Sequence, residues 1–211
     1  MQRKVVYWLT RLAIRLYYSL FTKLEVHGLE NIPSRAGAIL VANHRSMLDG
    51  FLLYSLAPRM AYSFIQSDYF ENPLLRWYLS TGGGIPVKKG GLRPSVLRET
   101  DRVLAEDGIL MVFPEGQINP GDHLLPFENT FVRLAVRYQI PIVPVVIIGT
   151  EKSVWNGKWL PHAGRICVII KKPVTVGCSS HDKDSHECHA ERIRTDIAET
   201  MELFSRPTTS W

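Results

Sequence analysis

The chain has 211 residues, with 25 Lys and Arg against 20 Asp and Glu for a formal net charge of +5. Hydrophobic residues at 45% and charged residues at 21% are ordinary globular usage, which excludes a disordered, collagen-like or coiled-coil chain and suits one domain with a full core better than two. Arg3, Lys4, Arg11, Arg15 and Lys23 all precede the first acid, so the whole excess sits there and the rest is electrically balanced; this argues against nucleic acid and for one local anionic partner.

Residues 3 to 21 contain neither Gly nor Pro and read as a helix. At helical spacing Lys4, Arg11, Arg15 and Thr22 fall within roughly 20° of one line, while Val6, Leu9, Ala13, Leu16 and Leu20 cluster opposite. Tyr7, Trp8, Tyr17, Tyr18 and Phe21 add rings of the kind enriched at a water and lipid boundary. Two placements fit: docked on the protein's own core with its bases in water, or lying in a membrane interface. The absence of acids favours the interface with an anionic bilayer. Residues 1–23 are therefore expected to be an amphipathic membrane-interface helix and residues 24–211 a single α/β domain.

After Pro33, short apolar runs alternate with helical patterns. Strands are expected at Ala38–Ala42, Ala61–Ile65, Gly84–Val87, Ile109–Phe113, Ile142–Ile148 and Ile166–Ile170, and helices at Met47–Leu56, Tyr69–Leu79, Ser95–Glu106, Thr130–Tyr138 and Glu187–Phe204. Strands separated by helices imply a mixed, mostly parallel central sheet covered by helices on both faces. The polar stretch Gly177–His189 is expected to be a loop. The longest uncharged run, Tyr138–Thr150, is too short to cross a bilayer as a helix and holds Pro141 and Pro144, so no transmembrane span is expected.

Four blocks could carry chemistry. Asn43-His44-Arg45-Ser46-Met47-Leu48-Asp49 follows the end of the Ala38–Ala42 strand, where ligands gather in open α/β sheets. Five residues apart on one helix, His44 and Asp49 would diverge by about 140°. With His44 in the loop and Asp49 in the first helical turn, the carboxylate can fold back to an imidazole nitrogen, fixing its tautomer. Ser46 and Asp49 also fit an S-x-x-D helix start, and both readings stand at this point. Gly82-Gly83-Gly84-Ile85-Pro86-Val87-Lys88-Lys89-Gly90-Gly91 offers close backbone approach and two lysines for an anion, or simply a tight turn with solvated lysines. In Phe113-Pro114-Glu115-Gly116 a rigid turn would present Glu115 and the Gly116 amide to the same rim. Pro141-Ile142-Val143-Pro144-Val145-Val146 says only buried strand.

In order and spacing these blocks resemble the glycerolipid acyltransferase family that contains the 1-acylglycerol-3-phosphate acyltransferases. The resemblance runs from Leu-Glu-Val-His-Gly-Leu-Glu-Asn-Ile-Pro at Leu24 through N-H-x-x-x-x-D, G-x-I-P-V-x-K, F-P-E-G and V-P-V to about Val176, roughly two-thirds of the chain. It implies that His44 is the general base and Asp49 its orienting partner. His44 would deprotonate an acceptor hydroxyl that attacks the thioester of acyl-CoA or acyl carrier protein. It also implies substrate-binding roles for Asn43, Gly84, Lys89, Glu115 and Gly116.

The expected reaction needs no cofactor and no metal, converts 1-acyl-glycerol-3-phosphate to phosphatidic acid, and takes place on the cytoplasmic face of a membrane. Without a G-x-S-x-G elbow, direct transfer is preferred to an acyl-Ser46 intermediate. Where the family carries arginine in its second motif the chain has Lys89, where F-P-E-G-T-R carries arginine it has Ile118, and a common lysine is Gln66; Lys88 or Arg93 are candidates to compensate. Alternative readings are another acceptor (glycerol-3-phosphate, a lysophospholipid or a lyso-aminolipid), a hydrolase, or a non-catalytic lipid-binding relative.

Cys178, His181, His186, Cys188 and His189 crowd together with Asp182 and Asp184, but at no C-x-x-C spacing, so a solvated loop is expected rather than a zinc site. Trp155 and Trp159 are read as packing residues. Three cysteines without a repeated spacing, and no secretory leader pattern, point to a reducing, cytosol-facing location.

Overall fold

A computed structural model describes residues 2–88, 93–121, 123–152, 164–177 and 183–205. Lys89, Trp155, Trp159, Cys178, His181 and Asp182 lie outside the described residues.

The helices are α1 (Gln2–Phe21), α2 (Leu48–Leu56), α3 (Pro73–Thr81), α4 (Pro94–Ala105), α5 (Thr130–Tyr138) and α6 (Lys183–Ser205). The strands are β1 (Lys23–His27), β2 (Ala38–Ala42), β3 (Ala61–Gln66), β4 (Gly84–Val87), β5 (Ile109–Val112), β6 (Ile142–Ile148) and β7 (Arg165–Ile170). They form one sheet in the order β1-β7-β6-β2-β5-β3-β4. Every pairing is parallel except β6 with β7.

Central β2 is buried along its whole length because both of its faces are covered, and so it reads as an unbroken apolar run. Ala38, Leu40 and Ala42 face a layer built from α1 and α2. Ile39 and Val41 face a second layer of α4, α5 and α6. Pro144 is tolerated inside β6 because its carbonyl, and therefore its missing N–H, points to the β7 side at the level of Lys171, one residue past the end of that strand.

Two expectations are corrected. Residues 183–189, read as loop, form the first turns of α6, whose polar start resembles a loop in composition. Lys23–His27, not expected as a strand, pairs with β7 as an edge of the sheet.

Helix α1 belongs to the same packed unit as the sheet, and it combines the two placements that its sequence allowed. Tyr7, Arg11 and Tyr18, at helical spacing, turn inward and are buried. The Tyr7 hydroxyl donates to Arg59 O at 2.9 Å and accepts from the Ala61 N–H at 3.2 Å. Arg11 Nε donates to Ser55 O at 3.0 Å in the last turn of α2, and its guanidinium lies 4.7 Å from the Trp8 ring centroid. Arg11 thus leaves the solvent-facing stripe to which its spacing assigned it, because the free carbonyls at the end of α2 give a cation a partner. The opposite side keeps Leu9, Leu16 and Leu20 uncovered, with Leu20 74% exposed.

Candidate active site

The loop after β2 turns back on the first turn of α2 and brings His44 and Asp49 together. His44 Nδ1 is 3.0 Å from Asp49 Oδ2. The same oxygen accepts the Arg45 N–H at 2.6 Å and the Ser46 N–H at 2.8 Å, and Asp49 is fully buried. Ser46 Oγ in turn accepts the Leu48 N–H at 3.2 Å. The helix-start reading and the imidazole-orienting reading therefore describe one carboxylate serving both ends. A carboxylate oxygen can only accept, so in the neutral ring Nδ1 is the nitrogen that carries the proton and Nε2 the one that keeps its lone pair.

The imidazole stacks on Phe113 at 4.1 Å between ring centroids and remains partly exposed. Tyr18 closes the side towards α1: its hydroxyl donates to Leu48 O at 2.9 Å. Burial, and after it the nearby Asp49 charge, push that phenol well above its ordinary range, so it acts as a fixed donor. Ser46 is buried and its Oγ already accepts a backbone N–H, which does not suit an acyl-serine nucleophile.

Glu115 is turned inward rather than to the rim. One carboxylate oxygen accepts the His44 N–H at 2.9 Å; the other accepts from Asn119 Nδ2 at 2.9 Å and from the Leu125 N–H at 3.0 Å. Asn119 N–H also donates to His44 O at 2.7 Å, so the His44 peptide is held on both sides. The Gly116 N–H closes a turn on Phe113 O, at a φ of 69° that favours glycine. Both groups expected to face an acceptor are consumed in stiffening the loop that carries the imidazole.

Asn43 is likewise internal: its side chain donates to Ile147 O and accepts the Ile147 N–H, each at 2.8 Å, adding one more rung between β2 and β6. Gly84 serves close packing rather than ligand approach, since a Cβ there would meet Leu79 O and Ile65 Cδ1 at 3.0 Å. Gln66 ends β3, Ile118 is exposed beyond the F-P-E-G turn, and Lys88 and Arg93 are exposed on either side of the stretch containing Lys89.

Two participants were not singled out from sequence. Buried Arg45 pairs with Glu151 Oε2 at 3.3 Å and donates to Pro120 O at 3.2 Å, tying the His44 loop to the end of β6. Asn119 is the other. Neither shows a spacing signal, because their partners are distant in sequence; a lone base inside the N-H-R-S block was the one available hint for Arg45.

Among the described residues, one group brings potential metal ligands within 4.8 Å of one another: Glu25, His27 and Cys167, at the β1 and β7 edge. The Glu25 carboxylate there is already paired with Arg165 at 2.8 Å.

The family model described as Acyltransferase matches residues 23–148, which span β1 through β6 and include His44, Asp49 and the F-P-E-G turn. A chloroplastic 1-acyl-sn-glycerol-3-phosphate acyltransferase of Brassica napus is 30% identical over 209 residues, covering 97% of this chain and 58% of its own. The Arabidopsis thaliana enzyme of the same name is 29% identical over 207 residues, covering 96% and 56%. The chain thus spans little more than half the length of these curated relatives. The crystal structure of the 1-acyl-sn-glycerophosphate acyltransferase of Thermotoga maritima superposes with a TM-score of 0.78 at 25% identity, over 99% of this chain and 83% of that one.

Proposed function

This chain belongs to the Acyltransferase family, and from that premise we propose that it transfers a fatty acyl group from an acyl thioester to the free hydroxyl of 1-acyl-glycerol-3-phosphate at a membrane surface, giving phosphatidic acid. The observation that carries the reading is the His44–Asp49 contact of 3.0 Å, which leaves Nε2 as a base on the carboxyl rim of the sheet.

In this mechanism Nε2 takes the acceptor hydroxyl proton as the oxygen attacks the thioester carbonyl carbon. The tetrahedral intermediate collapses with cleavage of the C–S bond, and the proton on Nε2 passes to the leaving thiolate. The products are an ester and a free thiol. Asp49 stabilises the imidazolium in between without taking its proton. A positioned base supplies ~10²- to 10⁴-fold, so orientation of the two lipid substrates supplies much of the rest. Glu115, Asn43 and Arg45 contribute by fixing the loop that aims the ring. No step routes through a metal.

The acceptor phosphate is assigned to Lys89 with Lys88 and Arg93, since Gln66 and Ile118 bring no charge and Arg45 is occupied by Glu151. For the lipid surface, α1 presents Leu9, Leu16 and Leu20 outward. Among the described residues no helix is long and apolar enough to cross a membrane. On this reading the protein is peripheral or monotopic on a cytoplasmic face.

The test is purified protein with acyl-CoA or acyl carrier protein and a panel of lyso-acceptors, scored by thiol release and product mass. Release dependent on 1-acyl-glycerol-3-phosphate supports the reading. Release with another acceptor replaces the substrate, release without any acceptor makes the protein a hydrolase, and none with either donor leaves a lipid-binding relative.

A further inference from the structure

Helix α3 gives almost nothing to the core, yet its start is firmly set. Asn72 caps it by accepting the N–H groups of Leu74 and Leu75 at 2.9 and 3.1 Å, and Pro73 occupies the first turn. Arg76 Nε adds a 2.7 Å bond to Phe70 O. Along the helix only Thr81 is buried, while Leu74 is 75% and Trp77 56% exposed. A rigid helix that displays a leucine and a tryptophan to the outside is arranged to meet an apolar partner.

Topology says where that partner lies. The short turn Ser67–Phe70 leads from the carboxyl end of β3 into α3, so the first turn of α3 stands on the same rim as His44, which follows the carboxyl end of β2. Exposed Met47 opens α2 on that rim, three residues after His44. The bond from Tyr18 to Leu48 O brings the carboxyl-terminal half of α1, with Leu16 and Leu20, to the same place. Helix α1 also contacts α3 directly. The exposed leucines of α1 and the exposed Leu74 and Trp77 of α3 therefore belong to neighbouring helices that reach the same rim, with exposed Met47 on it as well.

We propose that the α3 face of Leu74 and Trp77 is a second bilayer contact, continuous with α1, which tilts the protein so that the His44 rim opens into the lipid surface. This rests on the membrane-surface reading above. A single helix lying in an interface leaves the body free to roll about its axis; a second contact beside the mouth removes that freedom. The polar surroundings suit an anionic bilayer, with exposed Arg15, Arg76, Lys88 and Arg93 outnumbering exposed Asp68 and Glu71. Tryptophan at a helix face is an interfacial anchor.

The experiment compares wild type, Leu74→Asp with Trp77→Asp, and Leu9→Asp with Leu16→Asp, using phosphatidylcholine vesicles with and without phosphatidylglycerol. The α3 pair is expected to weaken vesicle partition at least about tenfold and to raise KM for vesicle-borne 1-acyl-glycerol-3-phosphate to match. Turnover of a short-chain, water-soluble acceptor stays as in wild type. Trp77→Phe gives a second measurement in a conservative background: the fluorescence it removes is expected to be quenched by brominated lipid.

Wild-type partition by the α3 pair, or no lipid-quenched component at Trp77, overturns the proposal. So does a lipid-free dimer that the α3 pair dissolves without changing vesicle binding, which would make a second copy the partner. If only the α1 pair keeps wild-type binding, the α1 anchor fails and the α3 contact stands; if wild type binds but transfers no acyl group, the catalytic reading fails separately.

Discussion

Replacing Asp49 by Asn isolates charge from shape at the centre of the site. The amide oxygen can occupy the position of Oδ2 and keep all three acceptor contacts, to His44 Nδ1 and to the Arg45 and Ser46 amides. Its NH₂ then lies where Oδ1 is buried without a partner, an unmet donor that costs about 1–3 kcal/mol of stability. The larger effect falls on turnover. At 3.0 Å and an effective dielectric of 20, the Coulomb attraction between carboxylate and imidazolium is at most about 5.5 kcal/mol. Charge spread over both groups lowers this to roughly 3–5 kcal/mol, equivalent to about 10²- to 10⁴-fold in rate.

The assay is thiol release from acyl-CoA at saturating vesicle-borne acceptor, with thermal unfolding in parallel. The expected outcome is a kcat lower by that factor, KM values within a few-fold of wild type, and a lowered but cooperative unfolding transition. A folded Asn variant that keeps its kcat within a few-fold would refute the orienting role of Asp49.

The remaining expectations divide between scaffold, substrate and surface. Asn43→Leu leaves the buried Ile147 N–H and C=O unpaired and should cost about 2–5 kcal/mol in denaturant unfolding, whereas a change below about 0.5 kcal/mol would remove Asn43 from the scaffold. Lys89→Ala should raise KM for the phosphorylated acceptor with little change in kcat; an unchanged KM moves the anion site elsewhere. Leu9→Asp with Leu16→Asp should release the protein from anionic vesicles in flotation, and undiminished binding would contradict the role of α1.

Where a stretch reports its own environment, sequence and structure agree. Ala38–Ala42, Ile142–Ile148 and Thr130–Tyr138 appear with the expected bounds, because a fully buried strand reads as an apolar run and a strongly amphipathic helix carries its period in the residues themselves; the edge strand Gly84–Val87 also keeps its expected bounds. β1 carries little strand signal as Lys-Leu-Glu-Val-His at a sheet edge, with charges that its exposed position tolerates. The His44 and Asp49 pair was legible because it is local, needing only a loop followed by a helix. The inward turn of Glu115 was not, since its partner His44 lies 71 positions away and the same Pro-Glu-Gly turn could equally have aimed outward. Arg11 shows the limit of helical periodicity: a wheel sorts residues by hydropathy and cannot foresee that the end of α2 supplies a carbonyl for a buried guanidinium.

In the proposed reaction His44 Nε2 acts as the base in acyl transfer to a lipid hydroxyl. The most direct measurement gives labelled acyl-CoA and 1-acyl-glycerol-3-phosphate vesicles to wild type and to His44→Ala, counting phosphatidic acid and free thiol together. Wild type is expected to release one thiol per phosphatidic acid, and the variant to lose at least about 10²-fold in rate with its fold and vesicle binding retained. Phosphatidic acid formed at the wild-type rate by His44→Ala would contradict that role of Nε2.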